Sequence, residues 1–158
     1  MFEKILVAVD LSSRAEIVFD RALNLAKSSG ASLILLHVLS SDEPDAPDPL
    51  VYSVQYPINR TVVEQHQTEW LDYQKKGMLA LEAMQKKAIE RSVKAETIQL
   101  FGRPGWIVCD RAKELAVDLI IIGSRGLSGL KELFVGSVSN YVLHHAPCSV
   151  LIVRPQSQ

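Results

Sequence analysis

The stretch DLIIIGSRGLSGLKELFVGS, residues 118–137, decides the fold, because an aliphatic run without polar alternation is followed at once by a loop rich in glycine and serine. A strand that is apolar on both faces is typical of a parallel sheet covered by helices on both sides. Three similar runs and a weaker one at 95–101 lie elsewhere in the chain: KILVAV (4–9), SLILLHV (32–38) and CSVLIV (148–153). The sequence therefore predicts five strands.

Helical patterns separate these runs, so strands and helices alternate. The first helix is predicted to begin with a capping box, Ser13-x-x-Glu16, and to end at Gly30. A turn at 102–105, Gly-Arg-Pro-Gly, precedes another helix, and Ser137 is predicted to cap the last one. This order predicts an α/β fold with a doubly wound open sheet of five parallel strands, in the order 3-2-1-4-5, and helices on both faces.

The position of the glycine-rich loop indicates a ligand site. Doubly wound sheets bind ligands outside the carboxyl ends of the strands, at the switch point between the first and fourth strands of this order. Those strands end at Asp10 and Gly123, so the loop faces a carboxylate. Glycines there would allow positive φ and close approach, and the free N–H groups where Gly136 and Ser137 open the last helix favour phosphate oxygens. We predict a phosphate cradle, although the loop matches neither the Walker A motif nor G-x-G-x-x-G.

Composition limits the classes of partner. The chain has 158 residues, 47% of them hydrophobic, and a net charge of −1. This fits a single domain over residues 1–158 and gives no basic footprint for nucleic acid or an anionic membrane. No apolar run approaches the length of a membrane span, and the N-terminus lacks the features of a signal peptide. We expect a cytoplasmic protein with neither nucleic acid nor membrane as a partner.

An insert at about 40–60 is unusual for such a fold. Residues 40–59 contain four prolines and four acidic residues without helical or strand periodicity, which predicts a long surface loop or a lid. A helical pattern of roughly 45 Å follows, from about Thr61 to Arg91, and Gly77 is predicted to kink it. Trp70 and Tyr73 either belong to the core stripe of this helix or project beyond the sheet to cover a partner.

Other polar residues lack the companions that chemistry would need. His144 and His145 have no acidic or cysteine neighbour at metal-ligand spacing, so we expect placement on the surface at a helix end. His37, inside a buried strand, is expected to make a structural hydrogen bond. Cys109 and Cys148 are expected to be buried thiols without a disulfide.

The arrangement Gly123-x2-Gly126-x9-Gly136-Ser137 resembles the ATP-binding signature of the universal stress protein family, in its nucleotide-binding branch. The similarity covers essentially the whole chain. Further matching segments are VAVDLS (7–12), LLHV (35–38), GRPGWIV (102–108) and APCSVLIVRP (146–155). The resemblance implies the adenine nucleotide alpha hydrolase-like fold, with ATP or AMP as the bound ligand.

The resemblance also implies roles for individual residues. Asp10 would accept hydrogen bonds from the sugar or base, or help to hold a magnesium ion. The side chain of Arg125 would bind phosphate, whereas we expect Lys131 to be in solvent. No catalytic residue is implied. The nucleotide-binding residues that the resemblance implies are Val9, Asp10, Val38, Ile122, Gly123, Arg125, Gly126, Gly136, Ser137, Val138 and Ser139.

Members of this family commonly form dimers by pairing their last strands antiparallel. In this chain the pairing would place Val150, Leu151, Ile152 and Val153 at a two-fold interface. The function implied is that of a regulatory or stress-response homodimer that binds ATP or AMP, with a protein partner that the sequence does not identify.

Three alternatives stay open. The first is an enzyme that slowly hydrolyses or transfers the terminal phosphate, for which Asp10 is the evident candidate base. The second is a dimeric scaffold that holds no nucleotide. The third is a cyclic or linear adenine messenger as the ligand, because a backbone cradle recognises phosphate more than phosphate number.

Overall fold

A computed structural model describes residues 1–43, 45–48, 59–124 and 135–154. Within these residues, strands and helices alternate along the chain as the sequence predicts. The elements are β1 (Lys4–Val9), α1 (Ala15–Ser29), β2 (Ser32–Leu39), α2 (Arg60–Glu90), β3 (Ala95–Phe101), α3 (Pro104–Glu114), β4 (Leu119–Gly123), α4 (Ser137–His145) and β5 (Ser149–Val153).

The five strands form one sheet in the order β3-β2-β1-β4-β5, and every pairing is parallel. Both the class and the order of the sheet confirm the prediction. β1 lies at the centre, with Val7 opposite Leu35 of β2 on one side and Ile121 of β4 on the other. Because β1, β2 and β4 are almost wholly buried, their sequences are apolar on both faces.

Successive residues of a strand point to opposite faces of the sheet, so apolar strands give it two apolar faces. A layer of helices covers each face. Helices α1 and α2 cover one face, where Phe19 and Leu81 are fully buried. Helices α3 and α4 cover the other face, where Val108 and Val142 are buried. The carboxyl ends of the central strands therefore open between two layers of helices, at one end of the molecule.

The start of α1 corrects the predicted capping box. The helix begins at Ala15, and Arg14 at the N-cap position makes no side-chain capping bond. The reason is that Asp10 Oδ1 accepts hydrogen bonds from the backbone N–H and the hydroxyl of Ser12, at 3.1 and 2.6 Å, so the chain turns before the helix starts. Gly30 ends the helix with φ of 74°, as predicted.

The starts of α3 and α4 also differ from the prediction. Gly136 occupies the N-cap position of α4, so this residue has no side chain to cap the helix, and Ser137 is the first helical residue. Pro104 is already the first residue of α3, so the predicted turn is shorter and bends at Gly102, where φ is 146°. Among the residues that the structure describes, no side chain accepts from the first N–H groups of α4.

Helix α2 confirms the long helix of the prediction, with 31 residues. Gly77 lies inside it, and its role is to let the helix approach the sheet. A Cβ atom at Gly77 would lie 2.5 Å from both His37 Nδ1 and Gln99 Nε2, closer than non-bonded atoms can approach. The helix therefore packs against β2 and β3 at a separation that only glycine allows at this position.

The aromatic residues of α2 settle one alternative left open by the sequence. Tyr73 is 4% exposed, so it belongs to the interior. Trp70 is half-buried, and its ring lies 5.3 Å from the ring of Phe101 at the end of β3. These residues therefore cover the end of the sheet in this chain.

The insert is only partly described. Residues 40–43, 45–48 and 59 belong to the described parts, and the expectation of a lid falls mainly on positions outside them. Among the described residues, no helix combines the length and the apolar character needed to cross a membrane.

Candidate functional site

A pocket opens at the carboxyl end of the sheet, where β1, β2 and β4 meet the first turns of α1, α3 and α4. Three aliphatic residues from neighbouring strands form a row on its floor: Ala8 of β1 is paired with Leu36 of β2 on one side and with Ile122 of β4 on the other. We call this row the apolar slot, because the small side chain of Ala8 leaves a depression between two larger ones. Val38 and Val108 extend its apolar wall.

The pocket brings together most of the residues that the sequence singled out. Two of them, Arg125 and Gly126, lie outside the described residues, as does Lys131. The others all line this one pocket: Val9, Asp10, Val38, Ile122, Gly123, Gly136, Ser137, Val138 and Ser139.

Asp10 is held in a fixed orientation at the end of β1. Its Oδ1 accepts from both the N–H and the hydroxyl of Ser12, and the Ser12 oxygen in turn accepts from the backbone N–H of Arg14 at 3.3 Å. The local turn therefore sets the position of the carboxylate before any ligand binds. The Ser12 hydroxyl donates its hydrogen bond to Asp10 within this turn.

The sequence predicts positive φ for glycines of the pocket, and the structure does not show it at Gly123 or Gly136. Gly136 has φ of −58°, which any residue can adopt, and among the described glycines positive φ occurs at Gly30 and Gly102. At Gly123 the reason for glycine is space, because a Cβ atom would lie 3.0 Å from a methyl group of Val18 in α1. Gly123 thus allows close packing of α1 against the end of β4.

Ser139 serves the architecture of the pocket. Its side chain is almost fully buried, and its hydroxyl donates a 3.1 Å hydrogen bond to the backbone carbonyl of Gly123. This bond ties the first turn of α4 to the end of β4. The Ser139 hydroxyl proton is engaged in this bond. An anion at the first turn of α4 would therefore bind to the backbone N–H groups and to the hydroxyl of Ser137.

Three charged residues of the pocket were missed by the sequence analysis: Arg14, Asp42 and Glu43. Arg14 stands at the start of α1, and the two acids follow β2 in the insert. The rule that ligands lie outside the carboxyl ends of strands could have found all three, because each belongs to a segment that leaves such an end.

The remaining candidates lie away from the pocket. His144 and His145 are exposed at the end of α4, and His145 Nδ1 lies 2.8 Å from the carbonyl oxygen of Tyr141. In the part of the chain that the structure describes, no group of three or more His, Cys, Asp or Glu side chains could hold a metal ion. His37 receives a hydrogen bond in the interior, as the sequence predicts.

The two cysteines are free thiols, but they are half-buried where the sequence predicts full burial. Both are partly buried against the apolar cluster on the α3 and α4 face, and Cys148 directly precedes β5. Burial is the main cause that raises the pKa of Cys109, and burial likewise raises the pKa of Cys148.

Comparison with known proteins gives the same assignment as the fold and the pocket. The model of the Universal stress protein family matches residues 1–154. This chain belongs to the universal stress protein family. Universal stress protein YxiE of Bacillus subtilis is 40% identical to it over 154 residues, which cover 98% of this chain and 100% of that protein.

Solved structures of the family share the fold. The universal stress protein UspA from Lactobacillus plantarum matches with a TM-score of 0.76 at 25% identity, over 97% of this chain and 98% of its own. A family member from Arabidopsis thaliana, solved with AMP bound, matches with a TM-score of 0.68 at 24% identity, over 98% of this chain and 93% of its own. The predicted fold and family are thereby confirmed.

Proposed function

We propose that this universal stress protein binds an adenine nucleotide, AMP or ATP, in the pocket at the switch point. The observation that carries the proposal is the combination of two features in one cleft: the apolar slot of Leu36, Ala8 and Ile122, and the start of α4 at Gly136 and Ser137, where no described side chain accepts from the backbone N–H groups. The first suits a flat heteroaromatic base, and the second suits phosphate.

The base would lie on the apolar slot. A purine is planar and largely apolar on its faces, so it gains free energy by displacing water from aliphatic surface. Val38 and Val108 line the same cleft, which gives such a ring apolar contacts beyond the floor. The half-buried carboxylate of Asp10, fixed by Ser12, is placed to accept from the ribose hydroxyls or the base.

The charges of the pocket favour one orientation of the nucleotide. Asp42 and Glu43 follow β2, whereas Arg14 follows β1 and the positive end of the α4 dipole lies beyond β4. Neighbouring strands are about 4.8 Å apart, so these groups are spread over a distance comparable to a nucleotide. Phosphates are repelled from the β2 end and attracted to the β4 end, which leaves the base near β2.

The AMP-bound relative supports the ligand class. At 24% identity that likeness concerns the fold, whereas the pocket residues of this chain are what the proposal is built on. A family member of the same fold was solved with AMP bound, which supports an adenine nucleotide as the ligand class proposed here.

A homodimer through β5 is the second part of the proposal. Among the described strands, β5 lies at the edge of the sheet next to β4, and Leu151 in it is 41% exposed. An apolar edge strand is prone to pair with another chain, and antiparallel pairing with a second copy would satisfy its free backbone groups. The protein would then act as a regulatory dimer that responds to nucleotide.

Native mass spectrometry of freshly purified protein, followed by acid release of bound small molecules, tests both parts. We expect a dimer that carries, or takes up on titration, AMP or ATP. A protein that is isolated empty and binds neither nucleotide in calorimetry would contradict the ligand proposal. A monomer at micromolar concentration would contradict the dimer independently.

A further inference from the structure

Four polar side chains from four parts of the chain meet behind the β2 end of the pocket. They come from β2, the segment that follows it, α2 and β3, and we call them the polar cluster: His37, Glu43, Tyr73 and Gln99. His37 is fully buried, and Glu43 and Tyr73 are at most 9% exposed. A buried carboxylate is costly unless donors surround it, so the partners of Glu43 need to be identified.

The hydrogen bonds of Gln99 fix the state of the histidine ring. Gln99 Nε2 donates to the backbone carbonyl of Gln74 at 3.0 Å, and since a carbonyl can only accept, this atom is the amide nitrogen. The same nitrogen lies 3.1 Å from His37 Nδ1, which must therefore accept. The neutral ring then carries its proton on Nε2, which lies 3.4 Å from Glu43 Oε1 without the geometry of a hydrogen bond.

Helix α2 supplies a hydrogen-bond donor to the carboxylate. The hydroxyl of Tyr73 donates to Glu43 Oε2, so the helix holds one oxygen by a hydrogen bond, while the other oxygen lies 3.4 Å from His37 Nε2 of the sheet. Gly77, one turn further along α2, provides the space for the rings and amide of the cluster. The arrangement thus depends on the close approach of α2 to β2 and β3.

Glu43 also lines the ligand pocket, five residues after Val38. Its backbone N–H donates to the carbonyl of Ser40 and its own carbonyl accepts from Ala46, so its carboxylate anchors a folded turn of the insert. On the other side, the ring of Trp70 packs edge-on against Tyr73 at 5.7 Å. A continuous series of contacts therefore leads from the pocket wall to the aromatic residues of α2.

We propose that the polar cluster is a positioning device that holds the turn after β2 against the base end of the pocket and couples occupation of the pocket to the Trp70 region of α2. The inference rests on the adenine-nucleotide function proposed above. Because Oε2 already accepts from Tyr73 and Oε1 lies beside His37 Nε2, the carboxylate is engaged by the protein, and Glu43 acts on the ligand through the position of the turn. Loss of one donor leaves the buried carboxylate under-satisfied and loosens that wall.

The test is a pair of variants that each remove one phenolic oxygen. Tyr73→Phe removes the donor to Glu43, whereas Tyr141→Phe is the matched control on α4, outside both the pocket and the cluster. With AMP as the probe in isothermal titration calorimetry, we expect Tyr73→Phe to weaken binding about tenfold and Tyr141→Phe to stay within about twofold. Circular dichroism of the free proteins checks that each variant is folded.

A spectroscopic readout separates positioning from a general loss of stability. The chain has two tryptophans, so Trp106→Phe leaves Trp70 as the only fluorophore of that type. In this background AMP should change the Trp70 emission, and the added Tyr73→Phe should remove most of that change even at saturating AMP. An unchanged Trp70 emission in the folded, AMP-binding Trp106→Phe protein would overturn the coupling.

The outcomes distinguish this inference from the proposed function. If the wild-type protein binds no adenine nucleotide, the proposed function fails and this inference fails with it. If the wild type binds AMP and Tyr73→Phe binds it equally well, only the inference is overturned. Should Tyr73→Phe lose its fold, Glu43→Gln replaces it: the amide N–H2 would then face the Nε2 proton of His37 or the Tyr73 hydroxyl, and wild-type affinity in that variant would overturn the inference.

Discussion

The hydroxyl of Ser139 donates a hydrogen bond of 3.1 Å to the backbone carbonyl of Gly123, which links the first turn of α4 to the last residue of β4. The two elements that meet here form the phosphate end of the proposed site. Their relative position is therefore set by a buried bond that needs no ligand.

Replacement of Ser139 by alanine should lower both stability and affinity. Removing the donor leaves the Gly123 carbonyl without this partner, which should reduce the free energy of unfolding by about 1 kcal/mol and weaken AMP binding a few-fold because α4 is less firmly placed. Urea unfolding and calorimetry measure the two effects. Ser28→Ala is the control, since its exposed hydroxyl makes a comparable bond to the Leu25 carbonyl outside the pocket. Equal effects of the two variants would contradict a specific role of Ser139.

Ala8→Leu should fill the apolar slot. The new side chain would occupy the depression between Leu36 and Ile122, so the base could not reach the floor, and AMP affinity should fall by at least about tenfold. Ala8 is only half-buried, so the variant should remain folded. The matched control is Ala83→Leu on the exposed side of α2, which should bind AMP normally. Unchanged affinity in Ala8→Leu would show that the base lies elsewhere.

Gly136→Asp should separate helix stability from ligand binding. The φ of −58° and ψ of 161° at Gly136 are accessible to aspartate, which is a favourable N-cap residue, so the melting temperature should stay the same or rise. The carboxylate should nevertheless exclude phosphate from the start of α4 and abolish nucleotide binding. Gly136→Ser caps the helix without a charge and should keep more of the affinity. Loss of binding in both variants would indicate a steric cause.

The fold could be predicted almost completely from the apolar runs. β3 is the informative case, because AETIQLF is the least apolar strand and still has the predicted bounds, 95–101. The helix starts were less predictable. Ser13 and Glu16 have the spacing of a capping box. The hydrogen bond between Ser12 and Asp10 forms a turn at this point instead, and the N-cap position falls on Arg14 rather than on Ser13. Spacing alone does not reveal local hydrogen bonds of this kind.

The sequence predicts that the residues at the strand ends, with Gly123, Gly136 and Ser137 of the motif, lie around one pocket. Contacts between distant segments were not predictable. Glu43 lies in a stretch that the sequence marks only as a proline-rich and acidic loop, and its partners His37 and Tyr73 come from elements that periodicity places in the core. The role of Gly77 could not be predicted either, because a glycine inside a helix indicates a kink as readily as a close approach of the helix to the sheet.

The raised pKa values of the two cysteine thiols lead us to expect a loss of stability at alkaline pH. Burial raises the pKa of both thiols above the ordinary value of 9.0, so the unfolded chain loses these protons before the folded chain does. Their contribution to stability is therefore complete below about pH 9 and is lost as the pH rises through the folded values. Urea unfolding at pH 7.5 and pH 10 should show a smaller decline in a Cys109→Ser, Cys148→Ser double variant than in the wild type. An identical decline would contradict the raised pKa values.

Leu151→Lys should convert the proposed dimer into a monomer. Leu151 projects from β5 with 41% of its surface exposed, and two lysines brought together across a two-fold axis would repel each other and lose apolar contact. The control is Leu79→Lys, because Leu79 is 56% exposed on α2, an element that packs against the opposite edge of the sheet. Sedimentation velocity should show a dimer for the wild type and for Leu79→Lys, and a monomer for Leu151→Lys. The reverse pattern would place the interface on α2, and a dimer in both variants would argue against pairing through β5.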